Sequence, residues 1–248
     1  MTERRQAPYV LLGAAIAAAW VVLNLDAPLV EDSLFWWVPK GIKAGETGFP
    51  LSPAGELPLA MLSQGHTATT LPQWSGGLPD YAHPPLWYWW IGLWTLLTPS
   101  FLAVKMATLI PAMAAGAGFV ALGRRIGSTT AGFAVFAIPP FMAQLLRPEL
   151  DLPLLALTPW ALIALLDRAW GRFTILSTLA VWCKEPGVLL AVPAAMVALE
   201  EKKWRIAVLA PPIALGLWAI VHGWMAVPER LPDGPMGWAK DLLSVLMI

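Results

Sequence analysis

The stretch that decides the fold is LAVKMATLIPAMAAGAGFVAL, residues 102–122. An α-helix rises about 1.5 Å per residue and the hydrocarbon core of a bilayer is about 30 Å thick, so roughly 20 apolar residues can cross it. Residues 102–122 meet this requirement, and three further runs meet it as well: Pro8–Leu25, Thr129–Leu146 and Ile206–Val227. The sequence therefore predicts an all-α polytopic membrane protein.

Cationic clusters predict how the chain is threaded through the membrane. Positive side chains concentrate on the cytoplasmic side, and the clusters are Arg4-Arg5, Arg124-Arg125, Arg168–Arg172 and Lys202–Arg205. All four can be cytoplasmic if three shorter runs also cross while Pro85–Leu97 lies at the outer surface. Those shorter runs are Leu152–Leu166, Phe173–Cys183 and Gly187–Leu199. This arrangement predicts about seven crossings, with the N-terminus in the cytoplasm and the C-terminus outside.

The composition excludes several other classes of protein. Hydrophobic residues make up 58% of the 248 positions and charged residues 13%, with a formal net charge of zero. A soluble domain carries about 25% charged residues, and this charge balance gives no basis for binding nucleic acid. The single cysteine, Cys183, excludes an internal disulfide. Because Trp20 to Asp26 offers no small-residue cleavage site, we interpret the first apolar run as a retained signal anchor.

The predicted topology leaves one long loop on the outer side. It covers residues 26–100, and within it Glu31–Ala44 has an apolar helical stripe that Pro39 should kink. We divide the chain into a transmembrane core, residues 1–227, and an external C-terminal segment, residues 228–248.

Two short turns, Arg147–Asp151 and Lys184–Gly187, also face outward. Phe173–Cys183 as a helix reaches only about 17 Å, so Lys184 and Glu185 should lie below the outer surface. Charged groups at that depth persist when they face a wet cavity or each other. The sequence therefore predicts an outward-facing cavity beside Lys184.

Side chains that could carry chemistry concentrate on the outer side. They are Asp26, Glu31, Asp32, Glu149, Asp151, Arg147, Lys184, His66 and His83. This mixture suits a reaction in which a carboxylate deprotonates an acceptor while cations hold a phosphate leaving group. Asp32 with Glu149 or Asp151 could hold a metal, so a divalent cation is left open, although no metal site or other cofactor is assigned.

The acids and Arg147 also have structural interpretations. Glu31 and Asp32 could cap the helix that follows them, and Glu149 and Asp151 could do the same for the fourth span. Arg147 could be an anchor at the membrane interface.

The remaining candidates have structural interpretations too. Lys184 and Glu185 could form a local ion pair that closes a hairpin. His83, before two prolines, could be an ordinary loop histidine, and His66 could be idle. The run Trp87–Trp90 could be an interfacial aromatic belt.

Four motifs occur in order on the predicted outer side: VEDSLF (residues 30–35), HPPLWYW (83–89), RPELDLPL (147–154) and KEPG (184–187). In this order they resemble the GT-C glycosyltransferases, in particular the branch of protein O-mannosyltransferases and the transferase that adds aminoarabinose to lipid A. The resemblance covers about residues 5 to 225. It implies a hexosyl- or pentosyltransferase of the bacterial inner membrane, acting on the periplasmic or extracellular side.

The resemblance also implies roles for individual residues. The enzyme would move a sugar from a polyprenyl-phosphate carrier to a lipid, glycan or protein acceptor. Asp32 would be the catalytic base, with Glu31 as the alternate, and Glu149 or Asp151 the second acid. His83 stands where some members have a phosphate-binding lysine. The cations for the carrier phosphate would be Lys184 and Arg147, whereas Arg230 is a poor candidate for an arginine that later loops of the family supply.

The chain departs from the family in length, because members usually have several more spans and often an external domain. It could be a minimal core, a fragment, or one half of a complex whose partner subunit supplies the missing helices. The alternatives to a transferase are a transporter or flippase for a lipid-linked sugar and a non-catalytic protein that binds one. Because the acidic residues cluster on the outer side of the membrane, a reaction at that surface is favoured over transport across the membrane.

Overall fold

A computed structural model describes residues 7–27, 38–47, 84–97, 101–201 and 205–225. All regular structure in this part of the chain is helical, as the sequence predicts. The α-helices are α1 (Ala7–Leu23), α2 (Val38–Thr47), α3 (Leu86–Leu97), α4 (Phe101–Arg125), α5 (Thr129–Ala134), α6 (Pro139–Gln144), α7 (Asp151–Leu166), α8 (Trp170–Cys183), α9 (Ala191–Glu200) and α10 (Ala210–Met225). Short 3₁₀ segments are Val135–Ala137, Glu185–Leu190 and Ile206–Leu209.

Helix α4 contains residues 102–122, which the sequence predicts to cross a membrane. Within the described ranges it is the one helix both long and apolar enough to cross a membrane, counted over Leu102–Arg125. Helices α1 and α7 and the segment Ile206–Ile220 are apolar but shorter. The membrane assignment therefore rests directly on α4, and the number of crossings stays a prediction.

Two expected helices are not continuous α-helices. Thr129–Leu146 divides into α5, a 3₁₀ turn and α6, because Pro139 and Pro140 open α6. The residue before a proline avoids the α conformation, and Ile138 is extended at φ −93° and ψ 108°. The expected helix over Gly187–Leu199 begins within the 3₁₀ segment Glu185–Leu190 and becomes α-helical at Ala191.

The described part of helix α2 runs from Val38 to Thr47, with Pro39 as its second residue. A proline in the first turn of a helix removes no intrahelical hydrogen bond. The earlier part of the expected Glu31–Ala44 helix, residues 31–37, lies outside the described residues, so the kink expected at Pro39 stays a prediction.

Helix α3 forms as predicted, but its aromatic residues do not make a simple interfacial belt. Trp87 and Tyr88 are 2% and 0% exposed, whereas Trp89 is exposed. The backbones of α3 and α2 are in direct contact, since a Cβ built on Gly92 would lie 2.5 Å from the backbone nitrogen of Gly45. The helix is thus packed into the protein and holds α2 against the bundle.

Contacts along the long helices give their relative directions. The Arg124 guanidinium stacks 4.4 Å from the centre of the Tyr9 ring, and Gly13 meets Gly116 further along, so α1 and α4 are antiparallel. Helices α4 and α7 are parallel. Trp160 Nε1 of α7 donates to the Ala114 carbonyl of α4, and Arg125 at the end of α4 donates to Asp167 just after α7. Helix α8 then returns antiparallel to α7, to which a tight turn joins it.

These directions bring the charged residues to two ends of the bundle. The Asp151 end comprises Asp26, Lys105, Arg147, Glu149, Asp151, Lys184 and Glu185. The Arg125 end comprises Arg124, Arg125, Asp167, Arg168, Arg172, Glu200, Glu201 and Arg205. Between the two ends, residues 106–123 of α4 and 152–166 of α7 contain no Asp, Glu, Lys or Arg.

The Trp90 indole supplies α4 with the hydrogen-bond donor that is missing at Pro111. Proline has no N–H, so the carbonyl four residues earlier, that of Ala107, loses its helical partner. The indole Nε1 of Trp90 donates to that carbonyl oxygen at 2.8 Å. Unsatisfied backbone groups are costly in an apolar setting, so this bond both preserves α4 and docks α3 on it.

Trp90→Phe should lower the free energy of unfolding by about 1–3 kcal/mol, the cost of leaving a buried acceptor unsatisfied. In a Pro111→Ala background the restored N–H of residue 111 can serve the Ala107 carbonyl, so the same substitution should cost clearly less. Thermal unfolding of the two single variants and the double variant in detergent measures this difference. Equal losses in both backgrounds would mean that the indole contributes packing alone.

Candidate functional site

Asp151 and Lys184 form an ion pair at the Asp151 end. Asp151 lies in the first turn of α7 and Lys184 directly follows α8. Lys184 Nζ donates to Asp151 Oδ1 at 2.5 Å, and the two side chains are 25% and 45% exposed, respectively. The pair is anchored by two adjacent helices yet remains accessible to a ligand.

This geometry bears on two structural interpretations. The ion pair of Lys184 is with Asp151, across the helix interface. Helix α7 begins after Leu150 without a side-chain cap, so neither Glu149 nor Asp151 is its N-cap, but Asp151 is the acid of its first turn, as the structural interpretation allowed. Sequence order alone could not reveal the Lys184 partner, because it depends on how α7 and α8 pack.

Glu149 is held nearby in a nearly buried position, with 8% of its surface exposed. Gln144 Nε2 donates to its Oε2 at 3.2 Å, and Arg147 Nη1 lies 4.0 Å from its Oε1. The turn that carries it is fixed from α3, since Trp87 Nε1 donates to the Pro148 carbonyl at 3.1 Å. The carboxylate orientation is therefore set by three elements, and Arg147, at 41% side-chain exposure, faces outward.

Lys105 is a charged residue that the sequence interpretation missed. It lies in the second turn of α4 and is 2% exposed. The signal was available in the sequence, since a lysine within an apolar span is rare and commonly marks function. Averaging the hydropathy of residues 102–122 concealed it.

Several expected site residues lie outside the described ranges: Glu31, Asp32, His66, His83 and Arg230. Among the residues that the structure does describe, no three His, Cys, Asp or Glu side chains converge in a way that could hold a metal ion. The hypothesis of a metal held with Asp32 therefore stays a prediction. The arrangement offers paired and accessible charges, suited to binding a phosphate and orienting a hydroxyl or amine.

Searches against protein-family profiles, curated proteins and solved structures found no match to this chain.

Proposed function

We propose that this chain is an integral membrane glycosyltransferase that moves a sugar from a polyprenyl-phosphate carrier to an acceptor at the outer face of the membrane. It crosses a bacterial inner membrane about seven times, with the Asp151 end outside and the Arg125 end in the cytoplasm. The observation that carries the catalytic part is the accessible Asp151–Lys184 pair beside the fixed Glu149 carboxylate.

The distribution of charge supports the membrane part of the proposal. From Lys105 to Arg124, α4 rises about 28 Å, close to the thickness of the hydrocarbon core. Large apolar side chains face away from the packed core over this zone: Leu11, Leu12, Ile110, Ile175, Met196, Ile213 and Leu217. A surface that is apolar on all sides between two charged ends suits lipid better than water.

The order of the helices supports the number of crossings. Seven passages would be made by the following segments: α1; α4; α5 with α6; α7; α8; the 3₁₀ segment Glu185–Leu190 with α9; and the 3₁₀ segment Ile206–Leu209 with α10. Their ends alternate between the Arg125 end and the Asp151 end. The arginines at the Arg125 end then satisfy the positive-inside rule, and α3 needs no crossing of its own.

The chemistry of the Asp151 end supports transfer from a phosphate carrier. Lys184 is an ammonium donor that would hold the departing phosphate, and Asp151 would then accept a hydrogen bond from a hydroxyl of the acceptor or sugar as the pair opens. Glu149 would orient the acceptor or the sugar, with Arg147 as a further cation toward the carrier. Asp32, or Glu31, is proposed as the base on the resemblance alone, as is the role of His83.

Asp151→Asn should lower sugar transfer about tenfold to 100-fold, the loss expected when a hydrogen bond to a charged group that orients the substrate is removed. The assay would incubate membranes that contain the protein with radiolabelled polyprenyl-phosphate sugars and extracted acceptors. Asp167→Asn is the matched control, because Asp167 is paired with Arg125 at the opposite end of α7 and is 47% exposed. The control should transfer sugar like the wild type.

The same preparation separates the alternative functions. Movement of labelled carrier across proteoliposome membranes without any glycosyl product would indicate a flippase. Carrier binding without turnover, for every acceptor fraction offered, would indicate a non-catalytic binding protein. Either outcome would overturn the transferase proposal.

A further inference from the structure

Trp87 donates a buried hydrogen bond to the turn that carries Glu149. Its side chain is 2% exposed, and its indole Nε1 donates to the Pro148 carbonyl oxygen at 3.1 Å, across 61 positions of the chain. Pro148 lies between α6 and α7, directly before Glu149. The bond therefore joins helix α3 to the segment that leads into the Asp151 end of α7.

The acceptor oxygen belongs to the same rigid unit as the backbone of Glu149. A peptide group is planar, so the Pro148 carbonyl shares one plane with the nitrogen and the Cα of Glu149. The proline ring also fixes φ at position 148. An indole that holds the Pro148 oxygen therefore holds the point from which the Glu149 side chain starts.

The indole of Trp87 is itself firmly based in the bundle. Trp90 lies one helical turn later on the same side of α3, and it donates to the Ala107 carbonyl of α4 at 2.8 Å. Gly92 of α3 lies against the backbone of Gly45 in α2. Because these contacts tie α3 to both helices, Trp87 fixes the turn relative to the body of the protein.

The acceptor of Trp87 differs in kind from those of other indoles in the described ranges. Trp20, Trp90 and Trp160 donate to carbonyls of residues within α-helices, namely Met142, Ala107 and Ala114. A helix keeps its shape through its own backbone hydrogen bonds. Residues 145–150 lie between two α-helices, so a bond from another element has more influence on the orientation of a peptide group there.

Glu149 is consequently held at both ends of its side chain. Gln144 Nε2 donates to the carboxylate at 3.2 Å, while Trp87 holds the peptide group on the backbone side. Groups that orient a substrate have to be held within about 0.5 Å of their productive position, and a misplacement of about 1 Å can cost about 100-fold in rate. Losing either anchor should therefore affect the reaction.

We propose that Trp87 is a positioning residue of the site at the Asp151 end. Its indole N–H holds the peptide group between Pro148 and Glu149, and it thereby sets where the Glu149 carboxylate meets the acceptor or the sugar. This inference rests on the proposed glycosyltransferase function. Trp87 acts through Glu149 and makes no contact of its own with the substrate.

Hydrogen–deuterium exchange in detergent tests the positioning without any ligand. Trp87→Phe keeps an aromatic ring but removes the N–H, so backbone exchange over residues 145–152 should become about tenfold faster. Trp160→Phe is the matched control, because it removes an indole bond to Ala114 in the middle of the bundle. It should leave exchange over residues 145–152 unchanged, although both variants should lower the melting temperature by about 4–8 °C.

Sugar transfer, measured well below the melting temperature, then tests the role in the reaction. The probes are radiolabelled polyprenyl-phosphate mannose and polyprenyl-phosphate aminoarabinose, each at saturating concentration. Trp87→Phe should lower kcat about tenfold to 100-fold, whereas Trp160→Phe should transfer sugar like the wild type. The analogue 3-benzothienylalanine at position 87 replaces the N–H by sulfur and keeps the ring shape, and it should reproduce the loss.

A double-mutant cycle separates positioning from general weakening of the fold. In a Glu149→Ala background the group that Trp87 places is gone, so adding Trp87→Phe should lower transfer by less than about threefold further. Trp160→Phe should have the same small effect in both backgrounds. Full multiplication of the Trp87→Phe and Glu149→Ala losses would show that Trp87 does not act through Glu149.

The outcomes distinguish this inference from the proposed function. Unchanged exchange over residues 145–152 in Trp87→Phe, wild-type transfer by the sulfur analogue, or an equal loss in Trp160→Phe would overturn the role of Trp87 alone. A wild type that transfers sugar from neither probe to any acceptor fraction would overturn the glycosyltransferase proposal and the inference with it.

Discussion

Lys184→Met should reduce sugar transfer by about 100-fold to 1,000-fold, the loss typical of removing one group that stabilises developing negative charge. At the Asp151 end, Lys184 combines a fixed position, through its bond to Asp151, with access for a ligand. A departing phosphate gains charge as the glycosidic bond breaks, so losing this ammonium should lower kcat more than it raises KM. Single-turnover transfer with saturating carrier measures that step directly.

The substituted protein should remain folded. Asp151 is 45% exposed, so its carboxylate can be hydrated when the lysine is absent, and methionine conserves much of the side-chain volume. Arg125→Met is the matched control, since Arg125 pairs with Asp167 at 2.6 Å and both are 47% exposed. Transfer at the wild-type rate by Lys184→Met, or an equal loss in Arg125→Met, would contradict a specific role for Lys184.

Gly116→Leu should detach α1 from α4 and cost about 3 kcal/mol or more. A Cβ at position 116 would lie 2.5 Å from the Gly13 carbonyl oxygen and 2.9 Å from the Ala17 Cβ. The oxygen belongs to a backbone and cannot move aside without separating the helices. For a chain of this size such a loss corresponds to a melting temperature lowered by about 6–12 °C.

Gly216→Leu provides the comparison, because α10 also carries a glycine but nothing lies within 4 Å of a Cβ built on it. It should unfold close to the wild-type temperature. Both variants add the same side chain to an apolar helix, so any general effect of leucine on insertion is common to them. Similar melting temperatures for the two variants would show that α1 and α4 tolerate separation.

The sequence predicted the all-helical class correctly, because apolar runs and their lengths are local properties. The helical class and the positions of α3, α7 and α8 follow from that signal. The break at Pro139 in the expected Thr129–Leu146 helix was visible in the sequence too. Hydropathy alone does not predict it, because the mean over a long run does not register the conformational preference of a single residue.

The site was harder to predict because it is made of long-range contacts. Arg147, Glu149, Asp151 and Lys184 were identified as residues, but their partners depend on which helices are neighbours. The Lys184–Asp151 pair joins positions 33 apart. That Lys105 lies at the same end of the bundle as this pair follows only from the way the helices pack. Glu31, Asp32 and His83 lie beyond the described ranges, so their part in the site stays a prediction.

The bond from Trp90 to Ala107 also bears on how the chain is made. Pro111 creates an unsatisfied carbonyl as α4 leaves the ribosome and its translocation machinery, and N-terminal segments are synthesised first. The indole that satisfies this carbonyl lies 17 positions earlier, so its donor is already synthesised when α4 forms. Trp20 and Trp87 likewise precede their acceptors, Met142 and Pro148. For these three acceptors, the donor is therefore synthesised before the segment that needs it.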